Sequence, residues 1–327
     1  MRVSFFLAGE ADLPRLRSLD PDRDWQELHT GERAWVLQTY LRLARAGRPV
    51  ELTAAPPATG VVLFHAKQSR ELLRFGERLR GNVLVGIRAD NRPSLIADLE
   101  IVQDPTAADG GRRRFLPHWP QPGLVPRDSA RGAGIARIAY KGFAANLHPD
   151  FLAPAWRDFL AGLGIRWEVQ AVPFAGPRTD VGGVRWPDFR EVDLVLAVRP
   201  PRRDGWPSKP PTKLFNAWLA GVPALLGPEV AYRELRRSEL DYAEVAGLAA
   251  AQAAVERLRA EPERYRAMIE NGRRRAEEFR PGATLERWIT FFETVAAPLL
   301  AGAARRPPIL LRRLAGRSRR LLGLEGR

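Results

Sequence analysis

The stretch SKPPTKLFNAWLAGVPALLGPE, residues 208–229, decides how the second half of the chain folds. A proline-rich entry leads into Thr212–Ala220, whose apolar residues recur at helical spacing, and Gly221 stops the helix. Pro223–Leu226 then reads as a buried strand. Pro211 or Thr212 occupies the first helical positions, where a missing or unpaired N–H costs little. Lys209 and Lys213 fall at the amino end of this helix. Unpaired N–H groups and a partial positive charge gather there, so two lysines make it a seat for phosphate. Asn216 lies one turn further in, within reach of a sugar hydroxyl. An ordinary sheet-flanking helix with solvated lysines fits the same spacing.

Outward from this stretch, strands and helices alternate. In the first half Val3–Ala8, Val50–Thr53, Val61–His65, Val83–Ile87 and Ile101–Gln103 read as strands. Glu32–Ala46 and Gln68–Leu79 read as amphipathic helices, and residues 10–31 as a polar loop. The run FLPHWPQPGLVPR (115–127) holds four prolines and a glycine, which suit neither a helix nor a central strand. It reads as the crossing between two domains. The alternation then restarts with strands Ile135–Tyr140, Arg166–Ala171 and Val192–Val198 and helix Pro154–Leu163. After the 208–229 stretch come a short helix Tyr232–Arg237, a weak strand Tyr242–Val245 and helices near 248–260, 262–279 and 284–300. Such alternation predicts parallel sheets flanked by helices, in two lobes with a cleft at the carboxyl ends of their strands.

Composition narrows the chemistry. The 327 residues contain no Cys, which excludes disulfides, zinc–thiolate sites, iron–sulfur clusters and cysteine nucleophiles. The start, MRVSFFLAG, lacks the apolar core and cleavage site of a signal peptide, and no uncharged run approaches a membrane span. A cytoplasmic location is expected. The net charge is +14, but residues 303–327 supply half of it with eight Arg and one acid, Glu325. The remainder is spread thinly, without a concentrated basic, aromatic-interleaved patch, so no nucleic acid is expected as partner. Lysine is rare: only Lys67, Lys141, Lys209 and Lys213 occur among 52 basic residues.

Several residues are candidates on position alone. Arg199 ends the strand DLVLAVR and should point into the cleft, where its guanidinium can take a phosphate in bidentate fashion. His65 ends the strand VVLFH of the first lobe and is the candidate general base or acceptor-binding group. His118 in the proline-rich crossing reads as structural, and His148 as exposed. Asp20, Asp22 and Asp24 alternate like metal ligands, yet an EF-hand would need Gly and Glu where Trp25 and Gly31 stand. No metal site is assigned.

The 208–229 stretch resembles the donor-binding motif of GT-B glycosyltransferases. In the bacterial retaining enzymes the motif is Glu, seven residues, Glu, then Ala-Met-Ala-x-Gly-x-Pro. Asn216-Ala217-Trp218-Leu219-Ala220-Gly221-Val222-Pro223 is similar to its second half, and the two Glu positions are filled by Ser208 and Asn216. The core Thr212-Lys213-Leu214-x-Asn216-Ala217 also resembles the donor motif of GT-B fucosyltransferases. The run HWPQPGL is similar to uncharacterised bacterial glycosyltransferase-like proteins.

The resemblance implies an α/β GT-B protein with two Rossmann-like lobes, a parallel sheet in each. It implies a lobe on the acceptor side over 1–122, a nucleotide-sugar donor lobe over 132–283 and helix 284–300 packing back on the first lobe. Lys213, Lys209, Arg199, Lys141, Asn216 and Thr212 would then bind the donor nucleotide, with Lys141-Gly142 meeting the pyrophosphate after the first strand of the donor lobe. The implied activity is metal-independent transfer of a sugar from a nucleotide-diphosphate donor to a glycan or lipid-linked acceptor, with no cofactor. The alternatives are a non-catalytic or nucleic-acid-binding α/β protein, or another GT-B enzyme such as a nucleotide-sugar epimerase.

The tail, residues 303–327, is amphipathic when wound as a helix from Leu310. Leu310, Leu311, Leu314, Ala315, Ser318, Leu321 and Leu322 fall within about 0–140°, and Arg312, Arg313, Arg317, Arg319 and Arg320 on the other side, with Leu324 misplaced. This is the pattern of an interfacial helix, so peripheral attachment to an anionic inner membrane surface is expected of it.

Overall fold

The structure is a computed structural model that describes residues 2–172, 183–202, 206, 209–303 and 307–321. It divides into two compact units. The first comprises Met1–Trp119, Ser208–Pro210 and Pro281–Arg327; the second comprises Pro120–Pro207 and Pro211–Arg280.

In the first unit β1 (Val3–Phe6), a short α1 (Leu13–Ser18), α2 (Gln38–Arg45), β2 (Val50–Thr53) and β3 (Gly60–His65) come first. Then follow α3 (Ser69–Leu73), β4 (Asn82–Ile87), β5 (Leu99–Val102) and β6 (Arg113–Phe115). The strands form one parallel sheet in the order β2-β1-β3-β4-β5-β6. Every residue of β1, β3, β4 and β5 is buried, as a sheet covered on both faces requires. Alternate side chains serve opposite layers: Phe5, Val61, Leu63, Val83 and Val85 one, Phe6, Val62, Phe64 and Leu84 the other.

In the second unit β7 (Arg137–Phe143), α4 (Pro154–Gly162), β8 (Arg166–Val172), β9 (Leu194–Ala197), α5 (Thr212–Ala220) and β10 (Ala224–Leu226) alternate. Next come α6 (Val230–Leu235), β11 (Ala243–Glu244), α7 (Leu248–Ala260) and α8 (Pro262–Ala276). The parallel strand order is β11-β10-β9-β7-β8. The chain winds from β7 to β8 in one direction and from β9 to β11 in the other. The switch point of the topology therefore lies between β7 and β9, and ligand sites of open α/β sheets form outside the strand ends there. Asp193, just ahead of β9, is fully buried and ties the preceding segment down. It accepts from Arg127 and Arg131 at 2.8 Å and from the N–H groups of Ala136 and Arg137 at 2.9 Å.

The chain finally returns to the first unit with α9 (Pro281–Thr290), a π-type turn at Phe291–Ala296, α10 (Ala297–Leu300) and α11 (Ile309–Leu321). Trp288, Phe291 and Phe292 join the core layer that holds Phe5, and the Phe5 and Phe292 rings meet edge to face at 6.2 Å.

Local details depart from the sequence expectations. The 10–31 loop contains α1 and a 3-10 turn at Trp25–Leu28. Helix Gln68–Leu79 is broken: α3 ends at Leu73 and a 3-10 turn covers Gly76–Leu79, with Gly76 at φ 50°. Lys141-Gly142 lies inside β7 rather than after it. β6 was not foreseen, and Phe115 of the proline-rich crossing ends it. Because Trp288 is fully buried and stacks on Phe292 at 5.8 Å, Trp288→Ala should cost about 3–5 kcal/mol of first-unit stability. Urea denaturation followed by circular dichroism measures it; a loss below about 1 kcal/mol would mean that the returning segment is not integral to that core.

Candidate functional site

The polar groups of the second unit converge at its switch point. Helix α5 follows β9 and begins there with Pro211 as N-cap, so no side chain caps its first N–H groups. Gly221 ends it in the left-handed conformation. The residues that fix the helix in the sheet are Leu214, Phe215, Ala217 and Trp218, all buried.

Lys213, on the first turn, sends its ammonium inward. Nζ donates to the carbonyl oxygen of Lys141 and lies 4.8 Å from the centre of the Tyr140 ring. Burial, with the Arg199 charge adding to it, pulls its pKa down to about 7. Arg199 stands two residues beyond β9, where its Nε donates to Glu229 Oε2 at 3.0 Å; the two side chains are 9% and 5% exposed. Glu229 reaches this point from the end of β10 through Gly227 and Pro228. Arg199 Nη1, Thr212 Oγ1 and Tyr232 Oη are buried with no hydrogen-bond partner among the described residues. Two cations, Lys213 and Arg199, therefore share the ends of β7 and β9 with the carboxylate of Glu229. An arrangement with surplus positive charge and unused donors beside an open helix amino end is chemically fitted to an anion.

Gly142 makes the approach possible. Its φ is 153°, and a Cβ there would lie 2.7 Å from Lys213 Nζ and 3.1 Å from Tyr140 Oη. The Tyr140 hydroxyl donates to Phe143 O at 2.7 Å, which holds the ring under the ammonium. The Lys141 side chain is engaged elsewhere: Nζ donates to Arg185 O and Asp188 O, both at 2.8 Å, and burial lowers its pKa to about 8. Its backbone carbonyl, not its ammonium, faces Lys213. Asn216 is also engaged, its Oδ1 accepting from the backbone N–H of Gln121 at 2.9 Å. A hollow of about 610 Å³ in the same unit is lined by Arg131, Arg137, Glu168, Arg185, Asp188 and Arg190, among other residues. It is not the Lys213 site, and Arg131, Arg137 and Arg190 are already paired with carboxylates.

The first unit holds the other sequence candidates. Lys209 Nζ pairs with Asp90 at 2.7 Å. His65 is 1% exposed, and burial lowers its pKa to about 4, so the ring is neutral at pH 7. Its Nδ1 accepts from Lys67 N at 3.4 Å, which puts the ring proton on Nε2. Nε2 lies against Gly31 and has no hydrogen-bond partner among the described residues. His118 is half-buried with its ring 4.6 Å from Trp35, and His148, expected to be exposed, is also half-buried and caps the turn at Asp150. Ser208 lies outside the described residues. Asp20, Asp22 and Asp24 are used within the fold: Asp20 pairs with Arg45, Asp22 with Arg42, and Asp24 accepts from Asp20 N.

No family model and no curated protein matches the chain. Solved structures do. Sucrose-phosphate synthase from Thermosynechococcus elongatus superposes with a TM-score of 0.57 at 13% identity, covering 91% of this chain and 99% of that one. Anabaena HepE in complex with UDP-glucose superposes with a TM-score of 0.53 at 13% identity, covering 90% and 100%. The chain has the GT-B fold. In GT-B terms the Lys213 site belongs to the second Rossmann-like lobe and the His65 group to the first.

Sequence reasoning placed Lys213, Lys209, Arg199, Lys141, Asn216 and Thr212 at one site; Lys209, Lys141 and Asn216 have other partners in the fold, and Glu229, Tyr140 and Tyr232 were missed. The available signal for Glu229 was a lone acid just past a buried strand, at the same sheet end as Arg199. The Lys213 environment has a pH signature. The folded-state pKa lies below the unfolded value, so between about pH 7 and 10 the unfolded chain binds more protons and stability rises with pH. Urea midpoints at pH 7 and pH 9 should therefore rise more for the wild type than for Lys213→Met. An identical pH response in the two proteins would contradict a depressed Lys213.

Proposed function

We propose that this GT-B protein is a glycosyltransferase that uses a nucleotide-diphosphate sugar, bound mainly in the second lobe. The observation that carries the reading is the inward-turned, half-buried Lys213 ammonium beside Arg199, with Thr212 and the uncapped end of α5 around it. In transfer, an acceptor hydroxyl oxygen bonds to the anomeric carbon as the bond from that carbon to the phosphate oxygen breaks. The electron pair leaves with the nucleoside diphosphate, and the hydroxyl proton passes to the departing phosphate oxygen. Charge gathers on that leaving group, and preorganised cations in a dry site stabilise it most. Lys213 and Arg199 supply such cations, which supports a reaction without a divalent metal. That HepE was solved with UDP-glucose favours a uridine or related nucleotide as the first donor to try.

The remaining roles follow from the contacts. Asn216 is proposed to meet the donor sugar or ribose through its amide nitrogen, since its oxygen is held by Gln121. Lys141 supports the site by fixing the 185–188 loop and by its carbonyl, while Lys209 belongs to the first unit and is held there by Asp90. For His65, a part in shaping the acceptor side is better supported than general-base chemistry, because burial makes the ring a weak base and its Nε2 packs against Gly31. The acceptor is proposed to be a glycan or lipid-linked sugar at an anionic membrane surface, supported by the charge of residues 303–327.

Thermal-shift and calorimetric titration with UDP, GDP and polynucleotide test the donor reading. One nucleoside diphosphate should stabilise the protein without added metal, and EDTA should not abolish it. Stabilisation by polynucleotide alone would overturn the reading. Lys213→Ala should weaken diphosphate binding at least about tenfold with the circular dichroism spectrum unchanged. Gly142→Ala should do the same by displacing the ammonium. Binding at pH 8 should take up protons, since the anion restores the charge that burial removes from Lys213. Titration in buffers of different ionisation enthalpy measures that uptake, and none would mean that Lys213 does not meet the anion.

A further inference from the structure

Helix α11 is docked on the first unit by the face that its sequence pattern least advertises. Ile309 is 2% exposed and sits in the core layer of Phe6, Phe64 and Ile96. Arg312, 9% exposed, forms an ion pair with Asp98. Gly316 comes so close to residue 95 that a Cβ would lie 2.6 Å from Leu95 O. These positions, i, i+3 and i+7, form one stripe along the helix.

The leucines lie on the opposite side. Leu310, Leu311 and Leu314 are 63%, 54% and 54% exposed, the three highest values among the seven exposed large apolar side chains of the described residues. On a helical wheel their centre is about 180° from the docked stripe. Arg313 and Arg317, half-buried and exposed respectively, flank the leucines on one side. The segment 303–327 carries eight Arg against one acid. A fully apolar partner would have no use for that charge, whereas a bilayer with anionic headgroups takes leucines below and arginines at headgroup level.

We propose that the exposed leucine stripe of α11 inserts into the headgroup boundary of an anionic bilayer, with the docked stripe binding the first unit to that surface. This deepens the membrane part of the function proposed above and rests on it, but not on the transferase chemistry. The attachment then belongs to a helix seated on the first lobe, not to a free basic tail. Arg312, which the sequence pattern grouped with the arginine face of the helix, pairs with Asp98 on the protein side.

The test uses the full chain and two kinds of vesicle, phosphatidylcholine alone and equal parts phosphatidylcholine and phosphatidylglycerol. The wild type should sediment with the anionic vesicles. The triple variant Leu310→Gln/Leu311→Gln/Leu314→Gln should lose at least about tenfold in partitioning while keeping its melting temperature, because those side chains are exposed in the fold. Arg313→Gln/Arg317→Gln should lose a smaller factor and mainly its salt dependence. The chain has no cysteine, so Leu314→Cys takes an environment-sensitive dye at one position, and its emission should shift blue on adding anionic vesicles. Equal binding by wild type and the leucine variant, or no binding by either, overturns the proposal. So does wild-type dimerisation in sedimentation velocity that the leucine variant abolishes, with no vesicle binding. Nucleoside-diphosphate titration of the same variants reads the donor site separately, so failure of one reading is not mistaken for failure of the other.

Discussion

The second lobe is organised around a half-buried ammonium that has no carboxylate of its own among the described residues. Removing a charge from water costs several kcal/mol unless geometry compensates. Lys213 has a backbone carbonyl and the Tyr140 ring, while the nearby carboxylate, Glu229, belongs to Arg199. The result is a site short of negative charge, and burial answers by loosening the proton on Lys213. Every neighbouring feature serves this arrangement. Gly142 lacks the Cβ that would displace the ammonium, and Tyr140 is held by Phe143 O. Pro211 leaves the end of α5 without a side-chain cap.

The fold delivers these groups to one place for topological reasons. β7 and β9 are neighbours in space but point the chain in opposite winding directions, so nothing covers the ends of the two strands from within the sheet. Lys141 and Gly142 come from one strand, Arg199 follows the other, and α5 starts from the loop after β9. Asp193 holds the opposite end of β9 with two arginines and two backbone N–H groups. A buried carboxylate satisfied in that way has one arrangement, which fixes where the strand begins and so where Arg199 ends up.

Legibility in the sequence followed the length and local completeness of each signal. α5 was read to the residue, because a proline entry, apolar periodicity and a glycine stop all lie within ten positions of one another. The parallel sheets were legible in the uninterrupted apolar runs of β3, β4 and β9. Lys141-Gly142 was placed after the first strand of the donor lobe, since Lys-Gly after an apolar run looks like a strand end. In the fold the partner strand β8 extends the pairing through Phe143. The break at Gly76 was lost because the apolar residues on either side keep a helical spacing even though φ there is positive.

What the amino-acid sequence determined by itself is the class of architecture, two successive parallel α/β lobes, and the position of a phosphate-suited helix end in the second. Those properties come from periodicity and from turn and cap chemistry, which act over a few residues. Tertiary structure alone decided which polar groups are spent and which remain. Lys141 and Asn216 looked as available as Lys213 in the sequence, yet loop carbonyls take the first and a backbone N–H takes part of the second. The amphipathic pattern of the tail marked leucine and arginine faces, but only packing showed that Ile309, Arg312 and Gly316 face the protein. A hydrogen bond or a close contact between residues 72 or 221 positions apart leaves no trace in local spacing, so its outcome is written only in three dimensions.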